Sequence, residues 1–98
     1  MIVEFTNYYP LPGRAEDVLR HRHRGCDLRA AMGLPRGEVL WLTDGTGPAV
    51  RWLCRFESEA ALADDLARRA ASPEFALQRA EMGAMLERFE RAIYRADP

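Results

Sequence analysis

The chain predicts an α+β fold, a small sheet with helices laid against it, on three observations. Its opening residues and its middle alternate β-branched and aromatic side chains with polar ones, the two-residue period of a strand. Other stretches carry apolar residues at helical spacing behind Ser, Pro or acidic start signals. The longest apolar runs, such as "EVLWLTD", are strand-sized, far short of the roughly 20 residues that span a bilayer.

The strand at the start is "IVEFTNYY", Ile2 to Tyr9, with Val3, Phe5, Asn7 and Tyr9 on one face and Ile2, Glu4, Thr6 and Tyr8 on the other. "PLPGR" breaks it, and a helix is expected from about Ala15, with Glu16 and Asp17 near its positive end. On that helix Ala15, Val18, Leu19, Arg22 and Cys26 share one stripe. The basic run "RHRHRG" lies across it. Arg20, His21 and Arg24 take the outer face, His23 the flank, and Arg22 the middle of the apolar stripe. His21 and His23 point about 200° apart on a helix, so they do not hold one metal together. Arg22 facing the core needs a partner or an anion, unless Gly25 bends or ends the helix and lets its long stem reach water. "CDLRAAMGL" then continues as a short helix on a shifted stripe of Leu28, Ala31 and Met32, stopped by Gly33 and Pro35.

Two strands follow in "GEVLWLTDGTGPAVRWLCRFES", joined by a tight turn at Asp44, Gly45 and Gly47. The second sets Val50, Trp52, Cys54 and Phe56 against Arg51, Leu53 and Arg55, two arginines that would pair with Glu4 if the strands are neighbours. Ser58 caps "EAALADDLARRAA", with a stripe of Leu62, Leu66 and Ala70; Ser72 and Pro73 restart a helix at "SPEF". Beyond Gly83 the pattern fits two structures. Phe75, Met82, Leu86, Phe89 and Ile93 align on one helical face, yet "RFERAIYR" also alternates as a strand, with Phe89, Arg91 and Ile93 on one side.

Composition sets limits on function. With 98 residues the chain is one domain, 1–98. A domain of that size buries about 60–65% of its unfolded surface, so a partner subunit would help its core. All 14 basic residues are arginine, which excludes a Schiff-base lysine, a lysine general base and a phosphate-loop lysine. Acidic residues number 15 and are spread among them, and no aromatic stacking platform is interleaved with the basic run, so nucleic-acid binding is not expected. Cys26 and Cys54 have no second ligand at metal spacing and read as reduced structural thiols; no metal site is expected. "MIVEFTNYY" lacks the features of a secretion signal, so the expected location is cytoplasmic, with no membrane partner.

The order strand, helix, strand, strand, helices, possible strand resembles a ferredoxin-like βαββαβ unit. Three segments resemble NIPSNAP-type proteins: "MIVEFTNYYPLPGR", a strand ending in tyrosine before a Pro-Gly turn; "WLCRFESEAALADDLARRAASPEF", an aromatic strand, a capped Ala-rich helix and a restart; and "LERFERAIYR", a closing strand. The resemblance implies a dimeric α/β barrel: a four-stranded antiparallel sheet with helices on one face, paired sheet to sheet in a homodimer, with a last strand over Leu86 to Arg95. In that frame Val3, Phe5 and Trp52 are expected under the helices, and Glu4, Tyr8, Arg51 and Arg55 on the face turned to the partner.

Relatives of that fold include cofactor-free monooxygenases, haem-degrading enzymes and isomerases, and fold alone does not choose among them. Haem degradation is implied by an Asn, Trp and late-helix His set; here Asn7 and Trp52 are present, but no His follows His23. No cofactor is expected. A small apolar or aromatic anion, bound at Arg22, Trp41 and Trp52, is the first functional expectation. A cofactor-independent monooxygenase or isomerase using Asn7, His23 and Trp52 is the second, and a structural or partner-binding homodimer with a filled core the third. Against the first two, both tryptophans are equally readable as core and Asn7 as the satisfied end of a strand.

Overall fold

The computed structural model describes all residues, Met1–Pro98. Strand β1 (Ile2–Pro10) leads into helix α1 (Ala15–Ala31), the hairpin β2 (Glu38–Trp41) and β3 (Val50–Phe56), helices α2 (Glu59–Ala70) and α3 (Pro73–Gly83), and a last strand β4 (Leu86–Arg95). The four strands form one antiparallel sheet in the order β2-β3-β1-β4, with the three helices on one face. This is the ferredoxin-like α+β fold expected. No helix is long and apolar enough to cross a membrane.

The residues after Gly83 are strand. β4 pairs with β1 from Ile2↔Arg95 to Pro10↔Leu86, and a ladder of that length outweighs the local helical spacing of Leu86, Phe89 and Ile93. Helix α3 closes where the Met85 amide bonds the Met82 carbonyl, and the Met85 carbonyl in turn accepts from Leu11 N–H at 2.9 Å.

Register decides which side of β1 is buried, and it reverses the expectation. Glu4 stands opposite Cys54, Thr6 opposite Trp52 and Tyr8 opposite Val50. Cross-strand partners share a face, so Ile2, Glu4 and Tyr8 lie under the helices with Val50, Trp52, Cys54 and Phe56, while Val3 and Phe5 turn to the open face with Arg51 and Arg55. Arg51 and Arg55 are thus on the opposite face from Glu4. They bond Asn7 and Glu38 instead.

Helix α1 also departs from expectation by running unbroken through Gly25. Glycine inside a helix costs about 1 kcal/mol relative to alanine. A Cβ there would lie 2.5 Å from Arg22 Nη2 and 3.0 Å from Gln78 Oε1, so the missing side chain makes room for the Arg22 guanidinium. Asp17, in the first turn, is held below the usual carboxylate range by its hydrogen bonds from Arg14 and Arg20. Ser58 and Ser72 cap α2 and α3 as expected, accepting from Ala61 N–H at 3.1 Å and Phe75 N–H at 3.3 Å. The β2–β3 connection spans 42–49, wider than a tight turn.

The core is one cluster of Ile2, Tyr8, Val18, Cys26, Trp52, Phe56, Leu62, Met82 and their neighbours. Trp52 is anchored in it by donating from Nε1 to the Arg36 carbonyl at 3.0 Å, and the chain passes over its indole at Gly37, where φ is +75°. A Cβ on Gly37 would meet Trp52 Nε1 and stand 2.6 Å from the Leu53 carbonyl, whereas Gly45, with φ +93°, has open space around it. Gly45→Ala is therefore expected to cost only the strain of positive φ, about 1–2 kcal/mol. Gly37→Ala should add about 1–3 kcal/mol of overpacking, a difference that urea denaturation of the two variants will resolve.

Candidate functional site

Between the helix-covered face of the sheet and the three helices lies a cavity of about 380 Å³. Its floor is Glu4, Thr6, Tyr8 and Trp52 with Phe89 and Arg91 from β4; its roof is Arg22 and Arg29 from α1, Leu66 and Arg69 from α2, and Phe75, Gln78 and Met82 from α3. The strand alternation that sets Tyr8 and Trp52 on one face supplies the floor. Positions 22 and 29, two helical turns apart, bring both arginines of α1 over it.

Most of the charge in this space is internally paired. Arg29, almost wholly buried, holds Asp65 with both terminal nitrogens at 3.1 and 2.7 Å and donates from Nε to the Pro35 carbonyl at 2.6 Å. Arg69 bonds Asp65 from Nε at 2.7 Å and reaches Glu4 at 2.6 and 3.2 Å. Arg91 bonds Glu4 from the other side at 2.7 Å. The result is a chain of alternating charge, Arg29–Asp65–Arg69–Glu4–Arg91, joining α1, α2, β1 and β4. Burial works to lower the Arg69 pKa, but the hydrogen bonds and charges of Glu4 and Asp65 outweigh it, and the shift is upward. Burial likewise pushes the Cys54 thiol up, against the pull of Arg29 beside it. The thiolate form of Cys54 is thereby disfavoured.

Arg22 is different. It donates to the Tyr8 hydroxyl at 3.0 Å and its guanidinium carbon stands 5.1 Å from the centre of the Trp52 ring. No carboxylate pairs with it, and its buried Nε has no acceptor in the chain. Arg29 and Arg69 also stack toward the same indole, at 4.8 and 6.0 Å, so Trp52 is a π-surface shared by three cations.

Of the residues singled out from sequence, Arg22 and Trp52 come together in the cavity. Trp41 does not: it stands exposed on the edge strand β2. Asn7 lies on the open face, accepting from Arg51 at 2.8 Å, and His23 is exposed on α1. The imidazole that reaches the cavity is His21, expected on the outer face; α3 packs against that side of α1, buries the ring and places Glu81 3.2 Å from its Nε2. Sequence reading also missed Glu4, Arg29, Asp65, Arg69 and Arg91 as one group. Two signals were available. Val18, Arg22, Gly25 and Arg29 form an unbroken helical stripe once Gly25 is not taken as an end, and Asp65 and Arg69 are at the i,i+4 spacing of a helical ion pair.

No protein-family model matches the sequence, and no curated protein matches it. Solved structures do match in fold. An uncharacterised NIPSNAP domain protein from Burkholderia xenovorans superimposes with a TM-score of 0.79 at 19% identity, over 99% of this chain and 95% of its own.

The fold is that of NIPSNAP-domain proteins.

A dimeric ferredoxin-like protein of unknown function from Bacteroides fragilis matches with a TM-score of 0.72 at 14% identity, covering 97% of this chain and 95% of its own. An antibiotic biosynthesis monooxygenase matches over the whole of both chains with a TM-score of 0.65 at 16% identity. One backbone thus serves proteins of different description, and the side chains in the cavity carry the functional information.

The ion chain yields a contrast between adjacent residues. Asp65→Ala leaves Arg29 buried without its carboxylate and is expected to cost about 3–5 kcal/mol. Asp64→Ala, on the exposed side of the same helix, should stay within about 0.5 kcal/mol. Midpoints of chemical denaturation compare the two directly.

Proposed function

We propose that this chain is a NIPSNAP-like protein that works as a homodimer and binds a small apolar or aromatic anion in the cavity beneath its helices. The observation that carries the reading is Arg22: a guanidinium without a carboxylate partner, set over Trp52 in a cavity of about 380 Å³ walled by Phe75, Met82 and Leu86. A pocket whose buried cation has no carboxylate of its own suits a hydrophobic anion, because the ligand supplies the missing counter-charge where water is scarce. A space of that size also speaks against a purely structural dimer with a filled core. The oxygenase or isomerase reading has less in its favour, since Asn7 and His23 stand away from Trp52 and His21 is engaged by Glu81.

The other side of the sheet supports the dimer. Phe5 and Tyr94 meet edge to face at 5.4 Å on a surface that no helix covers, beside Leu40 and with Arg51, Arg55, Glu38 and Glu90 around them. Exposed apolar groups ringed by both signs of charge suit a self-complementary contact with a second copy.

Two measurements test these readings. Binding of 8-anilinonaphthalene-1-sulfonate, an aromatic monoanion, should quench Trp52 fluorescence in a Trp41→Phe background. Arg22→Ala is expected to weaken it about tenfold or more, the loss of a charged hydrogen-bond partner, with little change in melting temperature; unchanged affinity would rule out Arg22 as the anion site. In sedimentation velocity the protein should run as two copies, and Tyr94→Asp, placing a charge on the open face, should run as one. A monomeric parent protein would overturn the dimer.

A further inference from the structure

How much charge the ligand carries, and where, follows from the arginines around it, on the reading that Arg22 is the anchor of a bound anion. Five arginines line the cavity, Arg22, Arg29, Arg69, Arg79 and Arg91, and the carboxylates bonded to them are Glu4 and Asp65. Positive charge is therefore in surplus. A singly charged ligand leaves most of that surplus unanswered, and a dianion meets more of it.

The donors indicate where the charges go. Arg29 and Arg69 commit every guanidinium nitrogen within the chain, Arg29 to Asp65 and the Pro35 carbonyl, Arg69 to Asp65 and Glu4. Arg22 uses Nη1 on the Tyr8 hydroxyl and Arg91 uses Nε on Glu4, and neither gives its other nitrogens an acceptor in the chain. Both keep donors for a carboxylate, which takes two parallel N–H bonds from one guanidinium. Arg79 has no acid partner either, but it stands exposed on α3, where water screens it.

Arg22 and Arg91 approach from different elements. Thr6 sits between Trp52 of β3 and Arg91 of β4 in one row across the sheet, and Tyr8 faces Phe89 in the next row. Arg22 comes from α1 onto Tyr8 and Trp52, whereas Arg91 reaches from β4 onto Glu4. Glu4 and Tyr8 share one face of β1 with Thr6 midway, their Cα atoms about 13 Å apart at a rise of about 3.3 Å per residue. The two cations are thus docked on either side of Thr6, a separation that suits two acidic groups held apart rather than one compact group. Leu66, Phe75, Met82 and Leu86 give the same cavity apolar walls, which suits an apolar body between the charges.

We infer that the cavity takes a dicarboxylate with an apolar body lying across Thr6. One carboxylate sits on Arg22 and accepts the Tyr8 hydroxyl proton, which the Arg22 hydrogen bond leaves free. The other sits on the terminal nitrogens of Arg91.

Calorimetric titration of the intact protein with benzoate, terephthalate, phthalate and phenyl phosphate, at a pH where the phosphate is doubly charged, keeps the ring constant and varies the charge and its spacing. Terephthalate, with carboxylates at opposite ends of the ring, should bind at least about tenfold more tightly than benzoate, the gain of a second charged hydrogen-bond partner. It should also bind more tightly than phthalate, whose carboxylates are adjacent, and phenyl phosphate, whose charge sits on one group. Arg22→Gln should weaken benzoate and terephthalate, and Arg91→Gln should bring terephthalate down to the level of benzoate while leaving benzoate unchanged. Benzoate binding as tightly as terephthalate would overturn the second charge. Phthalate or phenyl phosphate binding as tightly as terephthalate would overturn the separation of the charges. Arg91→Gln weakening benzoate and terephthalate alike would overturn Arg91 as the second anchor, since it would then act through Glu4 and the fold. If 8-anilinonaphthalene-1-sulfonate binds through Arg22 but none of these ligands binds, the dicarboxylate is overturned while the anion site stands. No binding by any of them, 8-anilinonaphthalene-1-sulfonate included, to folded protein would overturn both.

Discussion

The structure depends on a carboxylate placed where carboxylates are rarely found. Glu4 is fully buried on the central strand, and it is tolerable there because Arg69 from α2 and Arg91 from β4 both donate to it. Taking such a group out of water costs several kcal/mol unless its lone pairs are satisfied. The two arginines satisfy them from different elements, so the burial of Glu4 fixes the position of a helix and a strand at once. Through Asp65 and Arg29 the same constraint passes to α1. This ionic chain specifies how the helical layer sits on the sheet; most of the apolar burial comes from the cluster around Trp52, Val18 and Phe56.

The same constraint explains the cavity. The arginines that hold the helix layer on the sheet are the same ones that line the space between them, and the apolar residues beneath do not fill it. Trp52 shares the interval with three guanidiniums, two of them bonded to carboxylates and one not. The close packing at Gly25 lets the Arg22 guanidinium lie against the helix backbone, over the indole, instead of extending to solvent. Stability and binding potential therefore come from one layer of side chains, divided by whether each arginine has an acid to face.

Much of the fold was legible in the sequence because its signals are local: the alternation of Val50 to Phe56, the Ser58 and Ser72 caps, the acidic first turn of α1. What was not legible rests on partners far apart in the chain. Alternation in β1 separates Ile2, Glu4 and Tyr8 from Val3, Phe5 and Asn7, but each face carries one acidic or amide residue among apolar ones. Arg69 and Arg91, distant in sequence, decide which face is buried. His21 looks solvent-facing on α1 taken alone and is covered only because α3 packs beside it. That Arg22 and Trp52 meet beneath the helices was legible, since an arginine in an apolar stripe and a tryptophan in an apolar strand face each stand out locally. Asn7, His23 and Trp41 have no such constraint on where they point. The closing strand was ambiguous in its own residues, and resemblance to known proteins resolved what periodicity could not.

The strand order β2-β3-β1-β4 places β1 between two strands that follow it much later in the chain. During synthesis β1 has no strand partner until β3 emerges, and its other edge stays open until β4 has followed. Until then Glu4 has Arg69 but not Arg91, and the cavity has no wall on its outer side. Completion of the ion chain is thus a late folding event, and contacts of such long sequence separation slow folding and leave a strand edge open in the meantime.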